Sequence, residues 1–131
     1  MLLYKLSQDQ KFAFLKLARD IVLADKKLDA KERVSIAEIC HEMSISAMNL
    51  TSTLNMNSLD TIFDKRPIRV LVMIELLHLA SADGSLCVAE HDVINTVRKA
   101  LGFTLEDLGR FTRVAESYSW LHKEVHTLMG A

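Results

Sequence analysis

Two pairs of carboxylates share one spacing, and each begins where an apolar run ends. Asp83 and Glu90 are seven residues apart, and so are Asp25 and Glu32. Carboxylate oxygens, together with loop carbonyls and water, are the ligands that hard cations such as Ca²⁺ and Mg²⁺ prefer. The sequence therefore offers Asp83 with Glu90, and secondarily Asp25 with Glu32, as a divalent-cation site.

The same residues also fit a structural role that needs no ligand. Glu32 and Glu90 fall at the third position of a predicted helix, where a carboxylate meets the positive end of the helix dipole. Asp25 and Asp83 can accept hydrogen bonds from loop N–H groups. The stretch "DGSLCVAE" lacks the alternating Asp and Asn ligands of an EF-hand loop. Because two carboxylates are few for a tight site, the structural role is favoured, and the cation site stays open beside it.

The elements that would position these carboxylates are helical throughout. Apolar residues recur three and four apart almost everywhere, and alternating strand patterns are absent, so the fold class is all-α. Helices are predicted over about 8–24, 29–43, 46–54, 67–82, 88–101 and 105–129, with a turn or two near 59–63. The helix over 67–82 is apolar on nearly every side, which predicts a central position in the core.

Helix ends carry recognisable signals. Capping pairs mark three starts: Ser7 with Gln10, Asp29 with Glu32, and Thr104 with Asp107. Pro67 suits the first position of its helix, and Gly102 is expected to end the preceding one. The last helix should bend or break at Gly109 or Ser119. Its apolar side forms one stripe of Leu108, Phe111, Ala115, Tyr118, Leu121, Val125 and Leu128.

An internal repeat relates the two halves of the chain. A shift of 58 residues places identical residues opposite each other: Ala24, Asp25, Leu28, Glu32, Ile36 and Leu50 on Ala82, Asp83, Leu86, Glu90, Ile94 and Leu108. This register predicts one domain over 1–131, with repeat 1 at about 8–50, a connector at 51–66, repeat 2 at about 67–108 and a C-terminal helix at 105–129. Two such helix-loop-helix units would pack as a pseudo-two-fold bundle.

The stretch "LLHLASADGSLCVAEHDVINTVRKALGFTLEDL" resembles the repeated motif of the tellurite-resistance TerB-like family, and "IVLADKKLDAKERVSIAEICHEMSIS" resembles its first copy. The resemblance covers about residues 12–118. It implies a bundle of about seven helices, clustered acidic residues that bind divalent cations, and a binding or scaffolding role in tellurite or stress responses. The acidic positions carried over are Asp83, Glu90, Asp25 and Glu32. In the first copy Lys26 replaces the glycine, and a neighbouring ammonium group opposes a cation there.

The charge and the apolar stretches of the chain limit the classes of partner that it is expected to bind. Sixteen basic and 17 acidic residues give a net charge of −1 without a basic cluster, which argues against nucleic acid. The longest apolar stretches carry charges and fall short of a membrane span, so no membrane insertion is expected. The start "MLLYKLSQDQK" lacks the apolar core of a secretory signal, which predicts a cytoplasmic location with Cys40 and Cys87 as free thiols.

Other motifs are weaker. "HKEVH", residues 122–126, places two histidines on one helical face but matches no zinc-protease motif, and we interpret it as a solvated face. Cys40, His41, Cys87 and His91 match no standard zinc spacing. With no nucleophile elbow and no glycine-rich phosphate loop, the chain is not expected to be an enzyme. A hydrolase built on the carboxylates would need a concave pocket that contains an acid with a perturbed pKa.

Two functions remain. The first is a non-catalytic TerB-like binding or scaffold module, related to stress or tellurite response, whose acidic loops hold Ca²⁺ or Mg²⁺. The alternative is a metal-independent protein–protein interaction domain, with homodimerisation as one option, in which the Asp and Glu residues only cap helices. The sequence does not identify a protein partner for either.

Overall fold

The computed structural model describes residues 3–23, 41, 58–80 and 88–130, and these ranges are helical with short connections. A 3-10 turn over Leu3–Lys5 precedes five described α-helices. They are α1 (Gln8–Leu23), α2 (Leu59–Ile62), α3 (Arg66–Ala80), α4 (Val88–Ala100) and α5 (Leu105–Leu128). Within these ranges no strand occurs, so the predicted all-α class is confirmed.

The predicted caps hold two of these helices at their starts. The Ser7 N–H donates to Gln10 Oε1 at 3.0 Å, and the Gln10 N–H donates to Ser7 Oγ at 3.3 Å, which closes a capping box before α1. Thr104 and Asp107 form the same reciprocal pair before α5. The hydrogen bond that the Thr104 N–H donates to the Asp107 carboxylate lowers the pKa of that carboxyl.

Gly102 separates α4 from α5, as the sequence predicts. Its φ of +81° lies in the left-handed region, where a side chain would be strained. The Phe103 N–H then donates to the Arg98 carbonyl at 3.1 Å, which closes the helix end. Pro67 is the second residue of α3 rather than the first, since the helix begins at Arg66.

The predicted break in the last helix is wrong, because α5 runs without interruption past Gly109 and Ser119. A glycine in a helix costs about 1 kcal/mol, and the packing of Leu108, Phe111 and Ala115 against the core outweighs that cost. The Ser119 hydroxyl donates to the Ala115 carbonyl at 3.3 Å, so it is accommodated within the helix.

Helix α3 lies at the centre of the described structure, as its apolar sequence predicts. It packs against α1, α4 and α5, and its buried side includes Val72, Met73 and Leu76. The residues that complete the core around it are buried: Phe14, Leu15, Leu17, Ala18, Ile21, Leu59, Phe63, Ile94, Val97, Leu101, Phe103 and Ala115.

One arginine ties the short helix α2 and the α4–α5 turn to α3. The guanidinium of Arg69 donates to the carbonyls of Phe63, Asp60 at 2.8 Å and Leu101 at 3.4 Å. Arg69 is a charged residue within a largely apolar helix. Its five N–H donors explain why a charged residue is tolerated there.

Candidate functional site

Glu90 is the one member of the acidic pairs that lies within the described residues. It is the third residue of α4, as predicted, and only 6% of its side chain is exposed. The position near the positive helix end favours a carboxylate. Glu90 is engaged by a neighbouring group rather than free. These facts fit the capping role, and the cation role stays a prediction.

Asp83, Asp25 and Glu32 lie outside the described residues, as do Cys40 and Cys87. Whether either acidic pair comes together therefore stays a prediction. Within the described ranges, no three His, Cys, Asp or Glu side chains gather into a group that could hold a metal ion.

Two polar residues, Glu75 and His78, lie in the second half of helix α3. Glu75 is buried, and His78 is half-buried against α5. His78 Nδ1 lies 3.1 Å from Ser119 Oγ, and its ring meets that of Tyr118 edge to face at 6.1 Å. Burial lowers the pKa of His78 below its usual range, while the charge of Glu75 acts in the opposite direction.

Helix α5 extends past the core that its first half covers. Arg66, at the start of α3, stacks on Phe103 just before α5, and His78 near the end of α3 meets Ser119. The two helices therefore run roughly parallel. Residues 120–128 continue for about 14 Å beyond that last contact, and every residue over 120–130 is exposed.

This overhang carries apolar side chains along one side, which we call the α5 stripe. Leu121 is 52% exposed, Val125 46% and Leu128 84%. Towards the core the stripe continues through Tyr118, which is half-buried, and Val114, which is 40% exposed. The sequence predicts this periodicity correctly but treats the whole helix as one apolar side. Only the structure shows that its second half leaves the described core.

The histidines of "HKEVH" occupy the overhang beside the α5 stripe. His122 and His126 are both exposed, in agreement with a solvated face. Their Nε2 atoms nevertheless lie only 3.1 Å apart, and the ring centroids are 4.6 Å apart. The two nitrogens converge on one point, an arrangement that the spacing of four residues allows but does not require.

Comparison with known proteins adds no relative. No family model matches the chain, and neither the curated proteins nor the solved structures include a significant match. The resemblance to TerB-like proteins therefore stands on the sequence motifs alone. None of the described helices is long and apolar enough to cross a membrane.

Proposed function

We propose that this chain is a non-catalytic interaction module that forms a homodimer through the α5 stripe. The observation that carries the proposal is the overhang of α5, where Leu121, Val125 and Leu128 are exposed together on one side. Single exposed apolar residues are common on protein surfaces, but a contiguous apolar patch usually marks an interaction site.

The spacing along the stripe favours a helix as the partner. The separations from Val114 through Tyr118, Leu121 and Val125 to Leu128 alternate between four and three residues. This alternation is the seam of a two-helix coiled coil, in which each apolar side chain enters a hole on the facing helix. An extended peptide would not use such a regular seam.

A second copy of the chain is the partner that this surface fits best. Two identical stripes can meet about a two-fold axis, because an isologous contact pairs the same patch on both subunits. The polar side of the overhang carries both signs of charge, with Lys123 next to Glu124. The formal net charge of −1 means that two copies meet with little long-range repulsion.

The test compares two leucine substitutions on the same helix. Leu121→Asp places a carboxylate in the stripe, whereas Leu105→Asp places one at the helix start, where Leu105 is 67% exposed. A carboxylate in the first turn is favourable for the helix, so Leu105→Asp is a matched control for added charge. Sedimentation equilibrium should give twice the 14.8 kDa chain mass for the wild type and the control, and the single mass for Leu121→Asp.

Three results would overturn the homodimer. The first is a wild type that stays monomeric at about 100 µM, a concentration well above the dissociation constant of a typical specific dimer. The second is dissociation by Leu105→Asp to the same degree as by Leu121→Asp. The third is a Leu121→Asp variant that stays dimeric, since the contact between the two copies would then lie outside the α5 stripe.

We also propose that the module is a duplicated bundle of the TerB-like kind, with about seven helices. Two described helices support the repeat, because α1 begins at residue 8 and α3 at residue 66, which are 58 apart. Buried residues of α1 recur at the same shift in α3: Phe14, Leu15, Leu17, Ala18 and Ile21 correspond to Val72, Met73, Glu75, Leu76 and Leu79. A cytoplasmic role in stress or tellurite response belongs to the same proposal.

A divalent-cation site at Asp83 and Glu90 is the second candidate, and the burial of Glu90 in the first turn of α4 is the observation that favours a fixed carboxylate there. Millimolar Ca²⁺ should then raise the melting temperature, because a ligand bound only by the folded state stabilises it. Asp83→Asn should remove that increase. Equal melting curves with and without Ca²⁺ would leave the capping role as the account of both residues.

A further inference from the structure

The contact between His122 and His126 needs an atom between the two nitrogens. Nε2 lone pairs 3.1 Å apart repel each other unless a hydrogen or a cation lies between them. A shared hydrogen would give one hydrogen bond between two neutral rings. A metal ion would instead accept both lone pairs and form two bonds.

The separation of the nitrogens fits one transition-metal ion. Two Zn–N bonds of about 2.05 Å span 3.1 Å at an N–Zn–N angle of about 98°, between the octahedral and the tetrahedral angle. Histidines four residues apart lie on the same side of a helix, so the backbone holds both ligands before the ion arrives. Metal binding therefore loses less conformational entropy than it would with two ligands on a flexible chain.

The surroundings leave the rest of the coordination sphere open. Both histidines are exposed, and no third His, Cys, Asp or Glu joins them among the residues that the structure describes. Two imidazoles favour Zn²⁺, Ni²⁺ or Cu²⁺ over Ca²⁺ or Mg²⁺, which select oxygen ligands. Water would fill the remaining positions, as it does in open metal sites.

We propose that His122 and His126 form an open, two-histidine binding site for one divalent transition-metal ion per chain. The proposal is independent of the homodimer, because both ligands belong to one helix. It differs from the acidic-loop hypothesis in its residues, its position and its class of metal.

The experiment measures Zn²⁺ binding by titration calorimetry on the whole chain at neutral pH. His126→Gln and His122→Gln each remove one ligand while keeping a polar side chain. Either change should weaken Zn²⁺ binding by roughly 100-fold, the gain expected from linking two binding groups. The matched control combines Lys123→His with His126→Gln, which keeps the number of histidines but places the pair on adjacent positions. Adjacent helical residues diverge, so the control should lose affinity like the single variants.

Three outcomes of this titration would overturn the site. They are no Zn²⁺ binding by the wild type at about 1 mM, affinity that is unchanged in both glutamine variants, and full affinity in the rearranged control. A repeat with Leu121→Asp separates this proposal from the homodimer. If Leu121→Asp binds one ion per chain with unchanged affinity, the result supports the site. If the wild type binds one ion per two chains and Leu121→Asp abolishes that binding, the ligands lie across a dimer and the proposal is contradicted.

Discussion

The two halves of α5 carry one apolar pattern through two different environments. In the first half, Leu108, Phe111 and Ala115 pack on the core, and Phe111 meets Phe103 edge to face at 4.9 Å. In the second half, Leu121 and Val125 continue the pattern in solvent. A periodic stripe thus fixes which side of a helix is apolar without fixing what covers it. We infer that the first half stabilises the fold, and that the second half is retained for contacts with other molecules.

The same substitution in each half of α5 tests this difference directly. Leu108→Ala should lower the free energy of unfolding by about 2 kcal/mol, because it removes packed methyl groups and leaves a cavity. Leu121→Ala should change it by less than about 0.5 kcal/mol at protein concentrations where the chain is monomeric. Urea denaturation measures both. Equal losses in the two variants would mean that the overhang is packed as tightly as the first half.

A smaller effect is expected at the helix start. Thr104→Ala removes the hydroxyl that accepts from the Asp107 N–H, and the loss of such a cap costs about 1 kcal/mol. Thr127→Ala is the control in the second half, since the Thr127 hydroxyl only donates to the Lys123 carbonyl within the helix. Alanine is the better helix former there, so this control should be neutral or slightly stabilising. Thermal unfolding distinguishes the two, and a Thr104→Ala variant as stable as the wild type would contradict the cap.

The smallest effect concerns pH and the contact between His78 and Ser119. The pKa of His78 is lower in the folded chain than its ordinary 6.5, so below pH 6.5 the unfolded chain binds a proton that the folded chain resists. His78 therefore adds little to the pH dependence well above 6.5, and stability falls as the pH drops through 6.5 towards the lowered pKa.

The measurement compares melting temperatures at about pH 7.5 and about pH 5.5, on either side of the ordinary histidine pKa. His78→Gln keeps a hydrogen-bond donor for Ser119 but does not titrate. The wild type should lose more stability than this variant on acidification. Loss of the same size in both would show that other groups cause the pH dependence.

Among the residues that the structure describes, the sequence predicts the helix ends that a local signal sets. The capping pairs at Ser7 and Thr104 and the left-handed Gly102 act within a few residues, so their effects can be read from the sequence. The predicted break at Gly109 or Ser119 is wrong, because packing on the core outweighs the local preference of these residues. Local propensity is a weak guide once an element has tertiary partners.

The candidate sites depend on positions that the sequence cannot supply. The length of the α5 overhang follows from where α3 ends and how the two helices align. The 3.1 Å approach of His122 to His126 follows from side-chain rotamers, which the spacing of four residues leaves open. For the acidic pairs, the repeat in the sequence identifies the residues Asp83 and Glu90. Whether their carboxylates lie close together stays a prediction.

Arg69 has a consequence for how this sequence can diverge. Its guanidinium binds the main-chain oxygens of residues 60, 63 and 101, and every amino acid presents the same carbonyl there. Position 60 is exposed and can therefore accept a new side chain without losing the bond, whereas burial in the core restricts Phe63 and Leu101 to apolar side chains. Lysine at position 69 could not span the same three acceptors, because its donors sit on a single nitrogen. In homologous chains we expect the arginine to persist while residue 60 varies and residues 63 and 101 stay apolar.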